Sequence, residues 1–321
     1  MATLTVVRPT LIELAQQSQN GDIIKVIEAL VKKNDIFKDS QWIEANGGTY
    51  HKYLRRIYEP VGTFRVINGG TARERSLERE YTEGTCMLES RSEVDVKLVE
   101  KAANPKKFRF NKDIAHVNGL TSTFVTTFLY GNIATDPEQI QGLANRVGLK
   151  SLGTMVKGAS GTGSDTTSIW IIQWGEEKCH FVYPTGGNPG GVSIRDLGEL
   201  DALDANSNPF RVYGTLFGID FGFVINDDRC IGRVANIESS GSSNIFDAKL
   251  VNAVLNQMPE EGDGAVIYVN STLKTQIDND AMNKTNVAYG STEIYGSKVT
   301  TFRGHPIRQL ENIVITETNI S

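Results

Sequence analysis

Apolar and polar positions divide the chain into stretches of different periodicity, beginning with a weakly patterned N-terminal region. Apolar residues with 3,4 spacing at 11–15 and 23–31 predict two short helices, neither long enough to be stable without a packing partner. Residues 39–56 show no clear period, which predicts an extended connection. The first 54 residues are therefore expected to form an arm that lies over the body of the protein or over a neighbouring subunit.

The second stretch is a charged excursion between two strand-like segments. The sequence NGGTARERSLERE, at 68–80, holds three arginines and three glutamates in thirteen positions and follows the apolar run 61–67. The chain returns to a strand-like alternation at Val94. The stretch from Thr63 to Val94 is thirty-two residues long, which is too long for an ordinary hairpin loop. Such a hairpin would project roughly 50 Å at about 3.3 Å per residue. We therefore expect the charged segment at the tip of a projecting hairpin.

The third stretch has the clearest helical pattern in the chain. One continuous apolar stripe predicts a helix from Lys112 to Tyr130, with Asn111 as its N-cap and Gly131 just after its end. A shorter helix is predicted at 136–147, where an aspartate, a proline and a glutamine occupy positions typical of a helix start.

The remaining half of the chain is predicted to be mixed. After a glycine- and serine-rich loop at 157–168, strands are predicted at 168–175, 178–184, 210–225 and 229–237. The last ninety residues alternate between helix and strand. They predict a helix from Ile245 that stops before Pro259, a strand at 265–269, a helix capped by Asn270 or Ser271, and strands at 297–302 and 307–310. The fold class is therefore expected to be α+β.

Composition and charge restrict the classes of function. The net charge of −5 argues against a protein that grips a phosphate backbone, since such binding requires clustered Lys and Arg; nucleic acid would at most be enclosed. No apolar run approaches the roughly 18 residues of a membrane span, and no secretion signal is evident, so the chain is expected to be cytoplasmic when it is made. Three cysteines without CxxC spacing predict reduced thiols.

Candidate catalytic, cofactor and metal motifs are weak. The segment GASGTG at 158–163 lacks the last glycine of a dinucleotide fingerprint and the lysine of a phosphate-binding loop. The four histidines show no metal-ligand spacing, and no GxSxG is present. The adjacent carboxylates at 227–228 and 260–261 lie in turn-like sequence. We therefore expect no enzyme, no cofactor and no metal; a hydrolase would need a polar triad that the sequence does not display.

The order of these elements resembles the major capsid proteins of tailed bacteriophages, which have the Hong Kong 97-type (Johnson) fold, and is most similar to the compact epsilon15-like coat proteins. The resemblance covers nearly the whole chain. It is carried by the segments YLRRIYEPVGTFRVINGG, TTFLYGNIATDPEQIQGLANR, SIWIIQWG, YPTGGNPGG, RVANI and TFRGHPIRQLENI.

This resemblance implies a domain organisation. Residues 1–54 would be the N-terminal arm, and 55–102 the extended E-loop hairpin. The P-domain, with a long spine helix, would comprise 103–134 and about 165–235, and the A-domain about 135–164 and 236–321. Residues at the tip of the E-loop are expected to contact neighbouring subunits, namely Arg73, Glu74, Arg75, Glu78, Arg79 and Glu80.

It also implies a function and a set of partners. The chain would assemble with itself into hexamers and pentamers, forming a non-covalent icosahedral shell that encloses double-stranded DNA without reading its sequence. The shell would be part of the virion and would be assembled in the cytoplasm of a host bacterium. A separate scaffolding protein and a portal protein are expected, and a decoration protein is left open.

Three alternatives remain at this stage. The first is an encapsulin-type nanocompartment shell, which would enclose cargo protein instead of DNA. The second is another structural part of a virion, such as a tail or decoration protein, against which the long helix argues. The third is a hydrolase.

Overall fold

Strands dominate the computed structural model, which describes residues 35–187, 192–281, 289–294 and 297–321. The two helices predicted at 11–15 and 23–31 lie outside the described residues. The described strands are β1 (Trp42–Glu44), β2 (Tyr50–Tyr58), β3 (Leu77–Gly84), β4 (Cys86–Asp95), β5 (Val156–Gly158), β6 (Thr166–Gln173), β7 (Cys179–Tyr183), β8 (Val192–Leu203), β9 (Pro209–Ile225), β10 (Ile231–Glu238), β11 (Ala265–Val269), β12 (Tyr289–Ile294), β13 (Ser297–Phe302) and β14 (His305–Gln309).

The described helices are fewer, and one of them is much longer than the rest. They are α1 (Ile36–Asp39), α2 (Val96–Glu100), α3 (Pro105–Tyr130), α4 (Ala248–Leu255) and α5 (Ser271–Ala281). Single 3₁₀ turns occur at Leu143–Asn145, Asp228–Cys230 and Pro259–Gly262. Helices and strands alternate in the last part of the chain, which confirms the predicted α+β class.

The strands form two sheets and a separate two-stranded hairpin. The five-stranded sheet has the order β1-β7-β9-β4, with β8 also paired to β9. The seven-stranded sheet has the order β12-β13-β14-β11-β6-β10-β5, and β2 pairs only with β3. The strands predicted at 168–175, 178–184, 210–225, 229–237 and 265–269 correspond to β6, β7, β9, β10 and β11. Strand β8 was not predicted, because its alternation of small, charged and apolar residues resembles a loop.

Helix α3 packs its apolar stripe against residues from both sheets. Phe124 and Phe128 are buried among Phe181, Phe221 and Phe223, with ring centroids 4.4 to 5.3 Å apart. The same cluster includes residues of β6 and β11. A second cluster, formed by α4, α5 and the other face of β6, β10 and β11, lies in the C-terminal lobe. The two clusters are each continuous, and α3 is the element on which the larger one is built.

The long helix begins earlier than predicted. It starts at Pro105 with Asn104 as the N-cap, whose side chain accepts a hydrogen bond from the Lys107 amide at 3.1 Å; Asn111, the predicted cap, lies inside the helix. Proline at the first helical position and asparagine before it are a strong start signal. The extra turns bury Phe108 against α2, so the 26-residue helix is about 39 Å long at 1.5 Å per residue.

The helix predicted at 136–147 is absent from the structure, where this described segment folds back on the end of α3 as turns. The Gly142 amide donates to the Gly131 carbonyl at 2.8 Å, and the Asn145 side chain donates to the carbonyls of Tyr130 and Gly131 at 2.9 and 3.0 Å. A Cβ on Gly142 would lie 2.4 Å from the Gly131 nitrogen, so only glycine permits this approach. The segment satisfies the free carbonyls of α3 instead of forming a helix of its own.

The C-terminal segment is held by a buried ion pair to β10 of the seven-stranded sheet and by a hydrogen bond from α3. The guanidinium of Arg233 donates to the Glu317 carboxylate at 2.8 Å, and the side chains of the pair are 3% and 5% exposed. Hydroxyl groups of Ser168 and Tyr130 also donate to this carboxylate. Burial, followed by the neighbouring Glu317 charge, raises the pKa of Tyr130, which therefore remains a donor.

We expect Glu317→Ala to lower the free energy of unfolding by about 3 to 5 kcal/mol, because it leaves the Arg233 charge buried and unpaired. Urea denaturation of the unassembled subunit measures this. The exposed pair of Lys97 and Glu100 provides the control, since Glu100→Ala should cost no more than about 1 kcal/mol. Equal losses for the two variants would show that the buried pair does not hold the C-terminal segment.

Candidate assembly surface

The hairpin formed by β2, β3 and the connecting residues 59–76, called the projecting hairpin below, is the most exposed part of the described chain. Its antiparallel register pairs Tyr50 with Gly84, Tyr53 with Tyr81 and Tyr58 with Leu77. Every residue from 56 to 80 except Gly69 is exposed. A two-stranded hairpin is at best marginally stable by itself, so its position depends on how its root is attached.

Two arginine–carboxylate pairs attach the root of the projecting hairpin to the body. Arg146 donates to both oxygens of Glu83, with Nη1 to Oε1 at 2.8 Å and Nη2 to Oε2 at 3.3 Å, and also to the Phe223 carbonyl at 3.0 Å. Arg55 makes a second bidentate pair with Asp228. Because bidentate pairs fix direction as well as distance, they set the angle at which the hairpin leaves the body.

A small apolar seam lies between these two ion pairs. Tyr53 of β2 packs on Ala45, Val182 and Val224 of the five-stranded sheet and stacks on Tyr81 of β3 at 5.7 Å. Burial, with a smaller contribution from the nearby Glu83 charge, raises the pKa of Tyr53 to about 12. The root is therefore both packed against the body of the subunit and charge-paired with it.

The tip of the projecting hairpin exposes large apolar side chains. Phe64 is 108% exposed relative to its reference, Ile67 92% and Val66 77%, and Val61 at 71% lies beside them. Contiguous exposed apolar side chains on a folded protein mark an interaction surface. The apolar run 61–67 was predicted to be strand-like and to precede the tip; in the structure it lies in the tip, and β3 begins only at Leu77.

The C-terminal boundary of the hairpin also differs from the one predicted from the sequence. The alternation near Val94 was taken to mark a returning arm, but β4 pairs with β9 inside the five-stranded sheet and ends at Asp95. The Asp95 carboxylate accepts from the Lys97 amide at 2.7 Å and caps α2, which buries Leu98 and Val99. The local sequence cannot distinguish a short capped helix from a continued strand when both bury the same side chains.

A family model for the major capsid protein GP7 matches residues 18–321 of the chain. This match decides the family. The chain belongs to the GP7 family of major capsid proteins. Among solved structures, the cryo-EM structure of bacteriophage epsilon15 is similar to the chain with a TM-score of 0.69 and 28% sequence identity, covering 100% of this chain and 99% of that one.

Other solved structures are also similar to the chain. The bacteriophage JBD30 capsid matches with a TM-score of 0.53 at 11% identity, covering 96% of this chain and 99% of that chain. The holo-SrpI encapsulin complex of Synechococcus elongatus PCC 7942 matches at a TM-score of 0.41 and 8% identity, covering 76% of this chain and 100% of that chain. No curated protein gives a significant sequence match.

These findings confirm the expected identity. The capsid protein has the Hong Kong 97-type fold and forms part of the icosahedral shell of a tailed-phage virion, by self-association of its subunits. The family match decides against the nanocompartment and tail-protein alternatives. None of the helices in the described ranges is both long enough and apolar enough to span a membrane.

The six predicted contact residues fall into two groups. Arg73, Glu74 and Arg75 lie in the tip, whereas Glu78, Arg79 and Glu80 lie in the paired strand β3. The last three lie in a strand because the β2–β3 ladder extends further toward the tip than the alternation in the sequence indicates. The contact of all six residues with neighbouring subunits stays a prediction.

The glutamates of this set already have partners on their own hairpin. Glu74 accepts from the Val61 amide at 3.0 Å, Glu78 pairs with Arg56 at 3.4 Å, and Glu80 pairs with Lys52 at 2.8 Å. For Arg73, Arg75 and Arg79, the described residues provide no ion-pair partner. The charged surface left for another molecule is thus more basic than the sequence composition of 68–80 suggests.

Clusters capable of metal binding or acid–base chemistry are not evident in the described ranges. No group of three or more His, Cys, Asp or Glu side chains is placed there to hold a metal ion. Of the adjacent carboxylates, Asp227 pairs with Arg229 and Asp228 with Arg55, and Glu261 pairs with Arg303 at 2.9 Å. These carboxylates serve structural ion pairs, in keeping with the structural role of the family.

We expect Arg146→Met to lower the free energy of unfolding of the subunit by about 3 kcal/mol, because it leaves Glu83 uncompensated in a largely buried site. The control on the same hairpin is Arg56→Met, which breaks an exposed pair and should cost at most about 1 kcal/mol. Urea denaturation compares the two variants. If Arg146→Met were as mild as the control, the bidentate pair would not be what secures the root.

Proposed function

We propose that the projecting hairpin is the main inter-subunit contact of the shell, lying across an adjacent copy of the capsid protein with its tip buried there. The observation that carries this proposal is the combination of a root fixed by two bidentate ion pairs and a tip with fully exposed apolar side chains. An apolar tip held away from its own body gains free energy only when a neighbour covers it, at roughly 25 cal/mol per Å² of apolar surface.

The basic and apolar parts of the tip have different roles in this proposal. Phe64 and Ile67 supply the apolar area that stabilises the contact, as aromatic and aliphatic anchors do at other interfaces. Arg73, Arg75 and Arg79 meet carboxylates of the adjacent subunit. Exposed ion pairs contribute about 0 to 1 kcal/mol each, so these arginines set register and reversibility more than strength.

A division into domains follows from the same proposal. Residues 1–54 supply the N-terminal arm, apart from β1, which pairs within the five-stranded sheet, and the start of β2 at Tyr50. Residues 55–102 contain the E-loop, apart from β4, which also belongs to that sheet. The five-stranded sheet and α3 form the P-domain. Since β6 and β10 are central strands of the seven-stranded sheet, we place them with the C-terminal strands in the A-domain, although the sequence analysis had assigned them to the P-domain.

The assembly proposed for this subunit is a set of hexamers and pentamers around a double-stranded DNA genome. A contact between a projecting element on one subunit and the body of the next is head-to-tail, and such contacts generate a ring when the rotation between subunits closes. The chain is proposed to assemble on a separate scaffolding protein, with a portal protein at one vertex and a site for a decoration protein left open. The net charge of −5 fits a wall that encloses DNA without gripping it.

We expect Phe64→Ser/Ile67→Ser, and separately Arg73→Glu/Arg75→Glu/Arg79→Glu, to abolish shell formation while leaving the subunit folded. The first variant removes the apolar anchors and the second reverses the charge at the tip. Electron microscopy and sedimentation of the full-length protein with its scaffold measure assembly, and circular dichroism measures folding.

The matched control for the charge reversal is Lys101→Glu/Lys106→Glu/Lys150→Glu, which changes the net charge equally at exposed positions outside the hairpin. It should change assembly by less than about twofold. Normal shells from both tip variants would remove the tip from the interface and contradict the proposal.

A further inference from the structure

Two histidines meet at the seam between the projecting hairpin and the body. His51 of β2 and His180 of β7 are in edge-to-face contact, with ring centroids 5.9 Å apart. His180 is 2% exposed and His51 is half-buried. They lie on the same side of the sheet as Tyr53, whose ring centroid is 6.4 Å from that of His51. The pair therefore forms part of the surface on which the hairpin rests.

We propose that the His51–His180 pair is an acid-sensitive latch, which holds the projecting hairpin at a fixed angle when both rings are neutral and releases it when they are protonated. The latch acts within one subunit, so it does not depend on the role proposed above for the tip. It concerns the angle of the hairpin and not the integrity of the sheets.

The surroundings of the pair make a charged state unfavourable. His51 Nδ1 and both ring nitrogens of His180 are buried and find no hydrogen-bond partner among the described residues, and the apolar side chains of Val182 and Val224 fill the same seam. Protonation would place two like charges about 6 Å apart in a poorly solvated contact. Hydrating both rings requires β2 to separate from β7, a motion that also opens the Tyr53 seam and works against the two ion pairs at the root.

The charged groups near the seam are already committed to partners. From β3 the seam is faced by Glu83, which is paired with Arg146, and from the turn before β10 by Asp228, which is paired with Arg55. At the end of β1, the Glu44 carboxylate accepts from the amide of Gly186, in the loop after β7, at 3.0 Å. Neutralising a protonated histidine would require one of these pairs to break, so the ion pairs of the root do not offset the cost.

The pH range follows from the direction of the shifts. Burial is the main cause that lowers the pKa of His180, from 6.5 to about 4, with a further lowering by His51; burial also lowers the pKa of His51. A histidine whose pKa is lowered in the folded state stabilises that state fully above its unfolded pKa. The contribution is lost as the pH falls from 6.5 toward 4.

Spin-label distance measurement on the full-length protein tests the latch. Labels at Thr71→Cys on the tip and Lys101→Cys on the body report the hairpin angle, since all three native cysteines are buried. Labelled subunits are diluted with unlabelled protein so that only distances within one subunit are measured. We expect one narrow distribution at about pH 7.5 and a broad one at about pH 4.5.

His180→Phe keeps an aromatic ring against His51 but cannot be protonated, so we expect its distribution to stay narrow about one pH unit further into acid than that of the wild type. His51→Phe, at a half-buried site, repeats the test should the first variant fail to fold. His305→Phe is the matched control, since His305 of β14 is half-buried with its pKa also lowered by burial. It should leave the transition unchanged.

Two results would overturn the latch. One is a wild-type distribution that does not broaden between the two pH values. The other is an acid transition that both His180→Phe and His51→Phe leave unchanged, which would assign the transition to the carboxylates of the root instead. Since the labels report on single subunits, either result is distinguishable from a failure of shell assembly.

Discussion

The packing of one helix face against aromatic residues of the five-stranded sheet is the interaction on which the rest of this structure depends. Phe124 and Phe128 of α3 are buried against Phe181, Phe221 and Phe223. The strands that supply these rings, β7 and β9, also supply the other face of the sheet, where the hairpin root rests. A rigid core on one side of the sheet therefore fixes a platform on the other.

That platform explains how a thin hairpin can act as an assembly element. A two-stranded ribbon has too little buried surface to hold its own direction, and here the direction is set by Arg146, Arg55 and the Tyr53 seam. The direction of the hairpin is thereby set at its root, separately from the contact that we propose for its tip. The root provides direction through ion pairs within the subunit, while the apolar tip is proposed to provide the area that an adjacent subunit covers.

Elements with strong local patterns could be predicted from the sequence, and elements defined by distant contacts could not. The buried runs of β6, β7, β9 and β11 and the apolar stripe of α3 were predicted because periodicity reports burial directly. The helix predicted at 136–147 fails because Gly142 and Asn145 satisfy the end of α3, a contact that no local pattern contains. Strand β8 was missed because an exposed edge strand lacks a run of apolar residues.

The same distinction between local patterns and distant contacts applies to the candidate assembly surface. The long charged segment predicted a projecting hairpin. The predicted resemblance of the whole chain to the capsid family was confirmed. The apolar tip at Phe64 and Ile67 was assigned to a strand, because apolar residues are ordinarily buried within their own chain. We propose that another copy of the subunit completes the burial of this tip, which would exempt it from that rule. The partners of Glu78 and Glu80 could not be predicted without the register of β2 and β3.

Electron cryomicroscopy of shells assembled from the full-length protein, at a resolution that shows side chains of the hairpin, tests the central claim most directly. The account predicts that residues 59–76 lie against an adjacent subunit, with Phe64 and Ile67 buried there and the Arg146–Glu83 pair intact at the root. A complete shell in which this tip remains in solvent, or folds back on its own subunit, would contradict it.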